Sequence, residues 1–171
     1  GSGEVLASAS YPTYDLSKFS EEYEALLSDE RLPMFNRATD GTYAPGSTFK
    51  PCTAIAGLTE KVISTSSRIK CTGVYTKYEK QGYTPQCWIY ASHLTHGNDN
   101  VTEALRDSCN IFFYDVGRRT GIDAIVRYAT KFGLGQKTGI EIGEYKGTVA
   151  GPETSAANGV QWYGGDTLPA S

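Results

Sequence analysis

The sequence predicts a helix-rich α+β fold in one domain that spans residues 1–171. Apolar residues recur at helical spacing in four segments, whereas only short stretches alternate in the manner of a strand. Of the 171 residues, 39% are hydrophobic and 20% are charged. Such a chain is globular and long enough for one buried core, but too short for two ordinary domains.

The four helices are expected at intervals along the chain. Their predicted spans are residues 15–28, 47–61, 102–117 with an interruption near Ser108, and 122–131. Asp15 is the predicted N-cap of the first helix, whose apolar face consists of Leu16, Phe19, Tyr23, Leu26 and Leu27. Pro51 falls in the first turn of the second helix, where its missing N–H costs nothing.

The rest of the chain shows little regular structure. Residues 5–7 predict a short strand whose partners must come from elsewhere. Residues 71–97 are rich in Tyr, Gly and Gln and predict an irregular insert, while residues 140–171 give weak strand signals at most. Gly1 and Ser2 are interpreted as the remnant of an expression tag.

Composition argues against several classes of function. Lys and Arg number 16 against 19 Asp and Glu, a net charge of −3, and there is no long basic run. A weakly acidic chain of this kind is a poor candidate for binding nucleic acid or an anionic membrane surface. The four cysteines are too few to define a disulfide scaffold.

The first segment with the pattern of a catalytic site is Pro45-Gly-Ser-Thr-Phe-Lys50. It places Ser47 after a Pro-Gly turn at a helix N-terminus, with Lys50 three residues later on the same face. A partly buried lysine can take the proton of a serine hydroxyl, and the helix N-terminus offers N–H groups to a developing oxyanion. The same serine is also typical of a simple N-cap.

Two further patterns need weighing. Ser67 and Lys70 match the same Ser-x-x-Lys spacing, but in a polar stretch that we interpret as coincidental. Ser108 and Asn110 interrupt the third predicted helix. A hydroxyl there can relay a proton and an amide can hold a substrate carbonyl, although alone these residues are better explained as satisfying helix-terminal backbone groups.

Six segments form an ordered series: Gly3-Glu-Val-Leu-Ala, Tyr11-Pro-Thr-Tyr-Asp15, Asn36-Arg37-Ala38, Tyr43-Ala-Pro-Gly-Ser-Thr-Phe-Lys50, Ser108-Cys-Asn110 and Phe132-Gly-Leu-Gly135. In this order they resemble the transpeptidase domain of class B penicillin-binding proteins, most closely the elongation-type members. The resemblance covers almost the whole chain. It implies the helix-rich part of the penicillin-recognising serine transpeptidase and β-lactamase-like fold, with an incomplete sheet.

The resemblance also implies an activity and its residues. The family members are serine D,D-transpeptidases that cross-link peptidoglycan stem peptides, are acylated by β-lactam antibiotics and need no cofactor for the chemistry. By the family pattern Ser47 is the nucleophile, Lys50 its base, Ser108 a proton shuttle and Asn110 the residue that binds the substrate amide. Family members lie on the extracytoplasmic face of the bacterial cell membrane, on an N-terminal anchor, and serve the cell-wall elongation machinery.

A third family motif, Lys-Thr-Gly, lies on an edge strand beside the nucleophile. Lys137-Thr138-Gly139 matches it as a string of letters. In the family, however, the stretch between Phe132-Gly-Leu-Gly135 and Ile140-Glu-Ile142 is a structural connection. We therefore expect the chain to be truncated before the catalytic strand, and to show little or no turnover. Losing even one oxyanion donor costs about 10²–10³-fold in rate.

Cys71, Cys87, His96 and Cys109 are a second group of interest. Three thiolates and one imidazole suit a closed tetrahedral zinc site, although the spacing of Cys71 and Cys87 is too wide for a zinc knuckle. Some elongation-type relatives carry a structural zinc beside the Ser-x-Asn motif. That resemblance implies His96 and Cys109 as ligands, with Cys71 and Cys87 in place of the relatives' carboxylates.

Alternatives to the zinc site stay open. Cys71 and Cys87 could form a disulfide, or the thiols could be buried and free with His96 in a turn. His93 is a reserve ligand and Asp99 a more remote one. Cys52, on the second predicted helix, is interpreted as a small core residue.

Two other functions compete with the transpeptidase. A serine β-lactamase uses the same Ser-x-x-Lys chemistry, but class A enzymes add a deacylating glutamate in a Glu-x-x-x-Asn pattern. None of Glu141, Glu144 and Glu153 has that pattern. A β-lactam sensor domain would acylate quickly and deacylate very slowly, so acylation alone does not separate it from a transpeptidase.

Overall fold

The computed structural model describes residues 3–168, which separate into two compact units. Unit 1 combines Gly1–Tyr43 with Lys137–Gly147, and unit 2 combines Ala44–Gln136 with Thr148–Ser171. Gly1 and Ser2, interpreted above as a tag remnant, lie outside the described residues, as do residues 169–171.

The described residues form six α-helices and one two-stranded sheet. The elements in chain order are α1 Phe19–Ser28, α2 Lys50–Thr59, β1 Ile69–Cys71, β2 Gly97–Asp99, α3 Val101–Arg106, α4 Asn110–Thr120, α5 Ile122–Lys131 and α6 Pro152–Ala157. All except α1 belong to unit 2. This confirms a helix-rich α+β chain with a small sheet. No helix in the described part combines the length and apolarity needed to span a membrane.

Unit 1 contains α1 and the loops that hold it. The predicted N-cap is confirmed: the Asp15 carboxylate accepts the Ser17 N–H at 2.9 Å, at the start of a 3₁₀ turn that leads into α1. The apolar face is not buried, because α1 has no buried residue and Leu16 is 79% exposed. Within the unit, the centre of the Phe19 ring lies 5.3 Å from that of Tyr14 and 5.5 Å from that of Tyr23. Tyr145 N–H donates to the Thr39 carbonyl at 2.8 Å and ties the two segments of the unit together.

The strand predicted at residues 5–7 is wrong. These residues have no regular structure, and Leu6 is 92% exposed. A strand needs a neighbour for its N–H and C=O groups, and no strand among the described residues pairs with this segment.

The core of unit 2 forms around α4. Phe112, Phe113 and Val116 are fully buried, and the helix packs against α2, α5 and β1. Gly57 lets α2 come close to α4, since a Cβ at this position would lie 2.7 Å from a methyl carbon of Val116. The predicted interruption near Ser108 is confirmed, because α3 ends at Arg106 and α4 begins at Asn110.

The irregular insert predicted at residues 71–97 is confirmed. It is closed by the antiparallel pairing of β1 and β2, in which Cys71 lies opposite Gly97. Inside it are 3₁₀ turns at Glu79–Gln81 and Trp88–Ser92. Tyr75 fastens the insert to α4, because its buried hydroxyl donates to the Asp115 carboxylate at 3.1 Å.

The C-terminal stretch departs from the prediction of weak strands. Residues 140–168 contain α6 and a 3₁₀ turn at Gly164–Thr167, and no strand. A six-residue helix spans fewer than two turns, so its apolar spacing is too short to detect. Pro152 at the first position of α6 is the signal that was available.

Truncating the buried α4 core is expected to destabilise the chain strongly. Because Phe112 is 0% exposed, Phe112→Ala should lower the free energy of unfolding by about 3–5 kcal/mol. Phe132→Ala is the matched control: this ring is 55% exposed, so the loss should stay below about 1 kcal/mol. Urea unfolding followed by circular dichroism measures both. Equal losses would show that α4 is not the core of the unit.

Candidate active site and metal centre

Ser47 lies at the entrance to α2. It occupies the 3₁₀ turn Gly46–Phe49, and its carbonyl accepts the N–H of Lys50, the first residue of α2. Gly46 adopts a φ of +56°, a left-handed conformation that glycine tolerates well. The Ser47 side chain is exposed, and its hydroxyl makes no hydrogen bond within residues 3–168. The turn thus presents a free hydroxyl at the start of a helix.

Lys50 connects the two predicted catalytic motifs. It is only 7% exposed. Its Nζ donates to the Ser108 carbonyl at 2.7 Å, to Ser108 Oγ at 3.0 Å and to Asn110 Oδ1 at 2.6 Å. These three bonds use the three donors of an ammonium group and join residues 58 and 60 positions apart. The structure therefore brings Lys50, Ser108 and Asn110 together.

Burial sets the protonation behaviour of Lys50. Desolvation lowers the pKa of its ammonium group below the ordinary 10.5, while the neighbouring Cys87 and Cys109 oppose part of that shift. A lysine with a lowered pKa holds more of the neutral amine near neutral pH, which is the form that accepts a proton. The site has the electrostatics of a general base.

The position of Ser108 follows from the way α3 ends. Cys109 N–H donates to the Ala104 carbonyl at 2.9 Å and Ser108 N–H to the Leu105 carbonyl at 3.3 Å, the pair of bonds of a Schellman motif. Ser108 occupies the left-handed position of this motif with a φ of +50°, where glycine is usual. The helix break therefore turns both oxygens of Ser108 towards Lys50.

Asn110 is oriented by three contacts. Its Oδ1 accepts from Lys50, its Nδ2 donates to the Gln86 carbonyl at 3.2 Å, and its backbone N–H donates to Cys87 Sγ at 3.4 Å. An amide nitrogen carries two hydrogens, so one N–H of Nδ2 remains for a substrate. The contact with the Gln86 carbonyl was not predicted, because every residue carries a backbone carbonyl. The contact with the Cys87 sulfur was not predicted either.

Cys71, Cys87, His96 and Cys109 converge on one point. One potential ligand atom from each lies within 4.8 Å of the other three. His96 Nδ1 is 3.8 Å from Cys71 Sγ and 3.4 Å from Cys87 Sγ. Four ligands of a tetrahedral zinc ion stand about 3.8 Å apart, given a Zn–S length of about 2.3 Å. The predicted ligand set fits a closed zinc site.

The chemistry of this group also favours a cation. The three cysteines are buried, and all four cysteines are free thiols in this structure. Burial raises the pKa of the Cys109 thiol well above its usual range, so metal binding would have to release its proton. Neither His93 nor Asp99, the reserve ligands, belongs to the group found in the described residues.

Comparison with known proteins decides the family. The family model described as the penicillin-binding protein transpeptidase domain matches residues 1–168. The chain is 37% identical, over 98% of its length, to the peptidoglycan D,D-transpeptidase MrdA of Escherichia coli K12. The chain belongs to the penicillin-binding protein transpeptidase family. It spans 27% of the length of that relative.

Solved structures of this penicillin-binding protein family share the fold. A PBP2 of Pseudomonas aeruginosa, in complex with WCK 5153, matches with a TM-score of 0.85 and 32% identity, over 97% of this chain and 38% of its own. A PBP2 of Helicobacter pylori, in complex with MreC, matches with a TM-score of 0.87 and 27% identity, over 97% of this chain and 31% of its own.

The Lys137-Thr138-Gly139 string lies in unit 1, whereas the penicillin-binding protein motifs at Ser47 and Ser108 lie in unit 2. The Glu144 carboxylate accepts from Thr138 N–H at 3.0 Å, Thr138 Oγ1 at 2.7 Å and Gly139 N–H at 2.8 Å. These bonds close a local exposed turn. Its exclusion from catalysis stays a prediction.

Proposed function

We propose that this chain supplies the nucleophile and the proton-transfer groups of a peptidoglycan D,D-transpeptidase. Ser47 is the nucleophile and Lys50 its general base. The observation that carries the proposal is the buried Lys50 ammonium group, whose three hydrogen bonds unite the motifs. The similarity to MrdA over nearly the whole chain supports the same reaction class.

The proposed reaction runs in two halves. The Ser47 hydroxyl attacks the carbonyl carbon of the D-Ala-D-Ala bond while the neutral Lys50 amine takes its proton. The tetrahedral intermediate expels the terminal D-Ala, whose nitrogen receives a proton through the Ser108 hydroxyl. An amine of a second stem peptide then attacks the ester carbonyl, which forms the cross-link and returns the proton to Ser47. A β-lactam reacts by the same attack, but its ring opens and no leaving group departs.

Asn110 is the proposed substrate-binding residue. Its Oδ1 is engaged by Lys50 and one hydrogen of its Nδ2 by Gln86, so the second hydrogen is the free donor. This donor suits the amide carbonyl of a stem peptide or the side-chain carbonyl of a β-lactam. The bond to Lys50 also fixes which end of the amide faces the base.

The lifetime of the acyl-enzyme tests this function against a β-lactamase. We expect benzylpenicillin to give a covalent adduct that persists for many minutes, and nitrocefin to give no steady hydrolysis. Rapid multiple turnover of nitrocefin would favour the β-lactamase. A sensor domain is separated by substrate: a transpeptidase is also acylated by a thioester analogue of the stem peptide, whereas a sensor reacts with β-lactams alone.

We propose in addition that Cys71, Cys87, His96 and Cys109 hold a structural zinc ion. When bound, zinc would cross-link the insert to the turn between α3 and α4 and take no part in the chemistry. The convergence of four donor atoms within 4.8 Å supports this. Native mass spectrometry should find one zinc ion per chain, removable by a chelator, and a chain without zinc but two hydrogens lighter would support the disulfide instead.

We propose that the protein works on the extracytoplasmic face of the bacterial cell membrane, with stem peptides as substrates and the cell-wall elongation machinery as its partner. The PBP2 of Helicobacter pylori was solved in complex with MreC, which supports a protein partner of that kind. Binding of the chain to a purified MreC homologue, measured by calorimetry, tests the partner, and no measurable heat at high micromolar concentration would contradict it for this part of the protein.

A further inference from the structure

Asp99 is a buried carboxylate that the proposed reaction does not use. It ends β2, opposite Ile69, and is only 4% exposed. Its Oδ2 is fully buried and has no hydrogen-bond partner within residues 3–168. Burying an unpaired carboxylate oxygen is costly, so native proteins rarely leave one without a purpose.

The charges around Asp99 increase that cost. Asp107 and Glu103 both act on it as like charges, whereas His96 acts with the opposite sign. Arg68 and Arg106 pair with Glu103 and Asp107 instead. Among the described residues, the opposite charge that acts on Asp99 therefore belongs to the group Cys71, Cys87, His96 and Cys109.

Two observations link Asp99 to that group. It is a close neighbour of the Cys109 side chain and of the His96 ring. His96 directs Nδ1 towards Cys71 and Cys87, while its Nε2 is buried and unpartnered in the described part of the chain. An orphaned imidazole nitrogen and an orphaned carboxylate oxygen thus occur in the same neighbourhood, and pairing them would satisfy both.

We propose that Asp99 is the positioning residue of the metal centre, which accepts the Nε2–H of His96 while Nδ1 binds zinc. This inference rests on the proposed zinc site. Asp99 is not a ligand, because three thiolates and one imidazole already complete a tetrahedral shell. A carboxylate behind a ligating histidine fixes the tautomer and the orientation of the ring, and losing it typically lowers metal affinity about 10–100-fold.

The role of Asp99 extends to the catalytic turn through one chain of contacts. Cys109 lies between Ser108 and Asn110, and Cys87 accepts the Asn110 N–H. Because these side chains would bind the same zinc ion as His96, an interaction that holds His96 in place also holds the thiolates of Cys109 and Cys87 in place. Asp99 therefore acts on the position of the Ser108 and Asn110 side chains without touching the substrate.

Metal affinity of the folded chain tests the role of Asp99. Zinc dissociation constants are measured by competition with a chelator of known affinity, for the wild type, Asp99→Asn and Asp99→Leu. We expect both variants to bind zinc 10–100-fold more weakly. Asp107→Asn is the matched control, since it removes a nearby acidic charge with no contact to the thiols, and it should change the affinity less than about twofold.

Two further readouts distinguish positioning from other roles. Cobalt(II) should give the intense visible absorption of a tetrahedral three-thiolate site in the wild type and, once saturated, in Asp99→Asn. A changed spectrum in the variant would make Asp99 a ligand and overturn the proposal. In a His96→Ala background, Asp99→Asn should have no additional effect on affinity, because Asp99 acts through His96. Additive losses would overturn it as well.

Failure of this inference and failure of the zinc site give different results. If the reduced wild type binds neither zinc nor cobalt, the zinc proposal is wrong. If the wild type binds zinc tightly and Asp99→Asn binds it equally well, only the role of Asp99 is wrong. Circular dichroism confirms that each variant is folded before its affinity is compared.

Discussion

Lys50→Met is expected to slow acylation by benzylpenicillin about 10²–10⁴-fold, the usual contribution of a general base. Methionine keeps the length and apolar character of the stem, while it removes the ammonium group that lies 5.6 Å from the centre of the Phe113 ring. It removes the amine that we propose takes the Ser47 proton, and it leaves Ser108 and Asn110 without their shared donor. Stopped-flow or gel labelling with fluorescent penicillin measures the second-order rate constant.

The pH dependence of the acylation rate is a second test of the role of Lys50. The base is the neutral amine, and burial lowers the pKa of Lys50 from 10.5. The acylation rate of the wild type should therefore rise with pH and level off above that lowered pKa, whereas the rate of Lys50→Met should lose this rise. Lys70→Met, in the second Ser-x-x-Lys match, is the control and should keep the wild-type rate and profile. A Lys50→Met rate within threefold of the wild type would contradict the assignment.

Removing the proposed zinc ion is expected to destabilise the chain and disable the site together. With free zinc at about 1,000 times its dissociation constant, binding contributes about 4 kcal/mol to stability. For a chain of this length that corresponds to a fall of about 8–16 °C in Tm on chelation. Acylation should fall too, because Cys87 holds the Asn110 N–H and Cys109 lies inside the catalytic turn.

The cysteine variants separate metal binding from general packing. Cys109→Ser should lose zinc and reproduce the chelated Tm, with no further fall when chelator is added. Cys52→Ser changes another buried cysteine, on α2 and outside the group of four, and should keep one zinc per chain. An unchanged Tm for the wild type after complete chelation would show that the ion does not stabilise the fold.

Much of the helical framework could be predicted from local signals. The helical periodicity predicted over residues 122–131 coincides with α5. The break near Ser108 could be predicted because the Ser-Cys-Asn segment interrupts a stretch with helical spacing of apolar residues. The Ser-x-x-Lys spacing was informative only with its context, since Ser67 and Lys70 show it equally. Ser67 instead accepts the Ser64 N–H at 2.9 Å in a local turn.

The remaining features depend on contacts between distant residues. The exposure of α1 could not be foreseen, because a stripe of apolar residues favours burial but does not specify which element the helix packs against. The carbonyl of Gln86 orients Asn110 through its backbone, which any residue could supply. Asp99 looked like a remote ligand because its burial and its unpaired oxygen appear only when β2 is paired with β1.

The measurement that tests the central claim most directly is the intact mass of the chain after incubation with benzylpenicillin. Wild type and Ser67→Ala should each gain one penicilloyl group, and peptide mapping should place it on Ser47. Ser47→Ala, folded by circular dichroism, should gain none. An adduct of equal yield on Ser47→Ala, or a wild-type adduct that maps to a residue other than Ser47, would contradict Ser47 as the nucleophile of this chain.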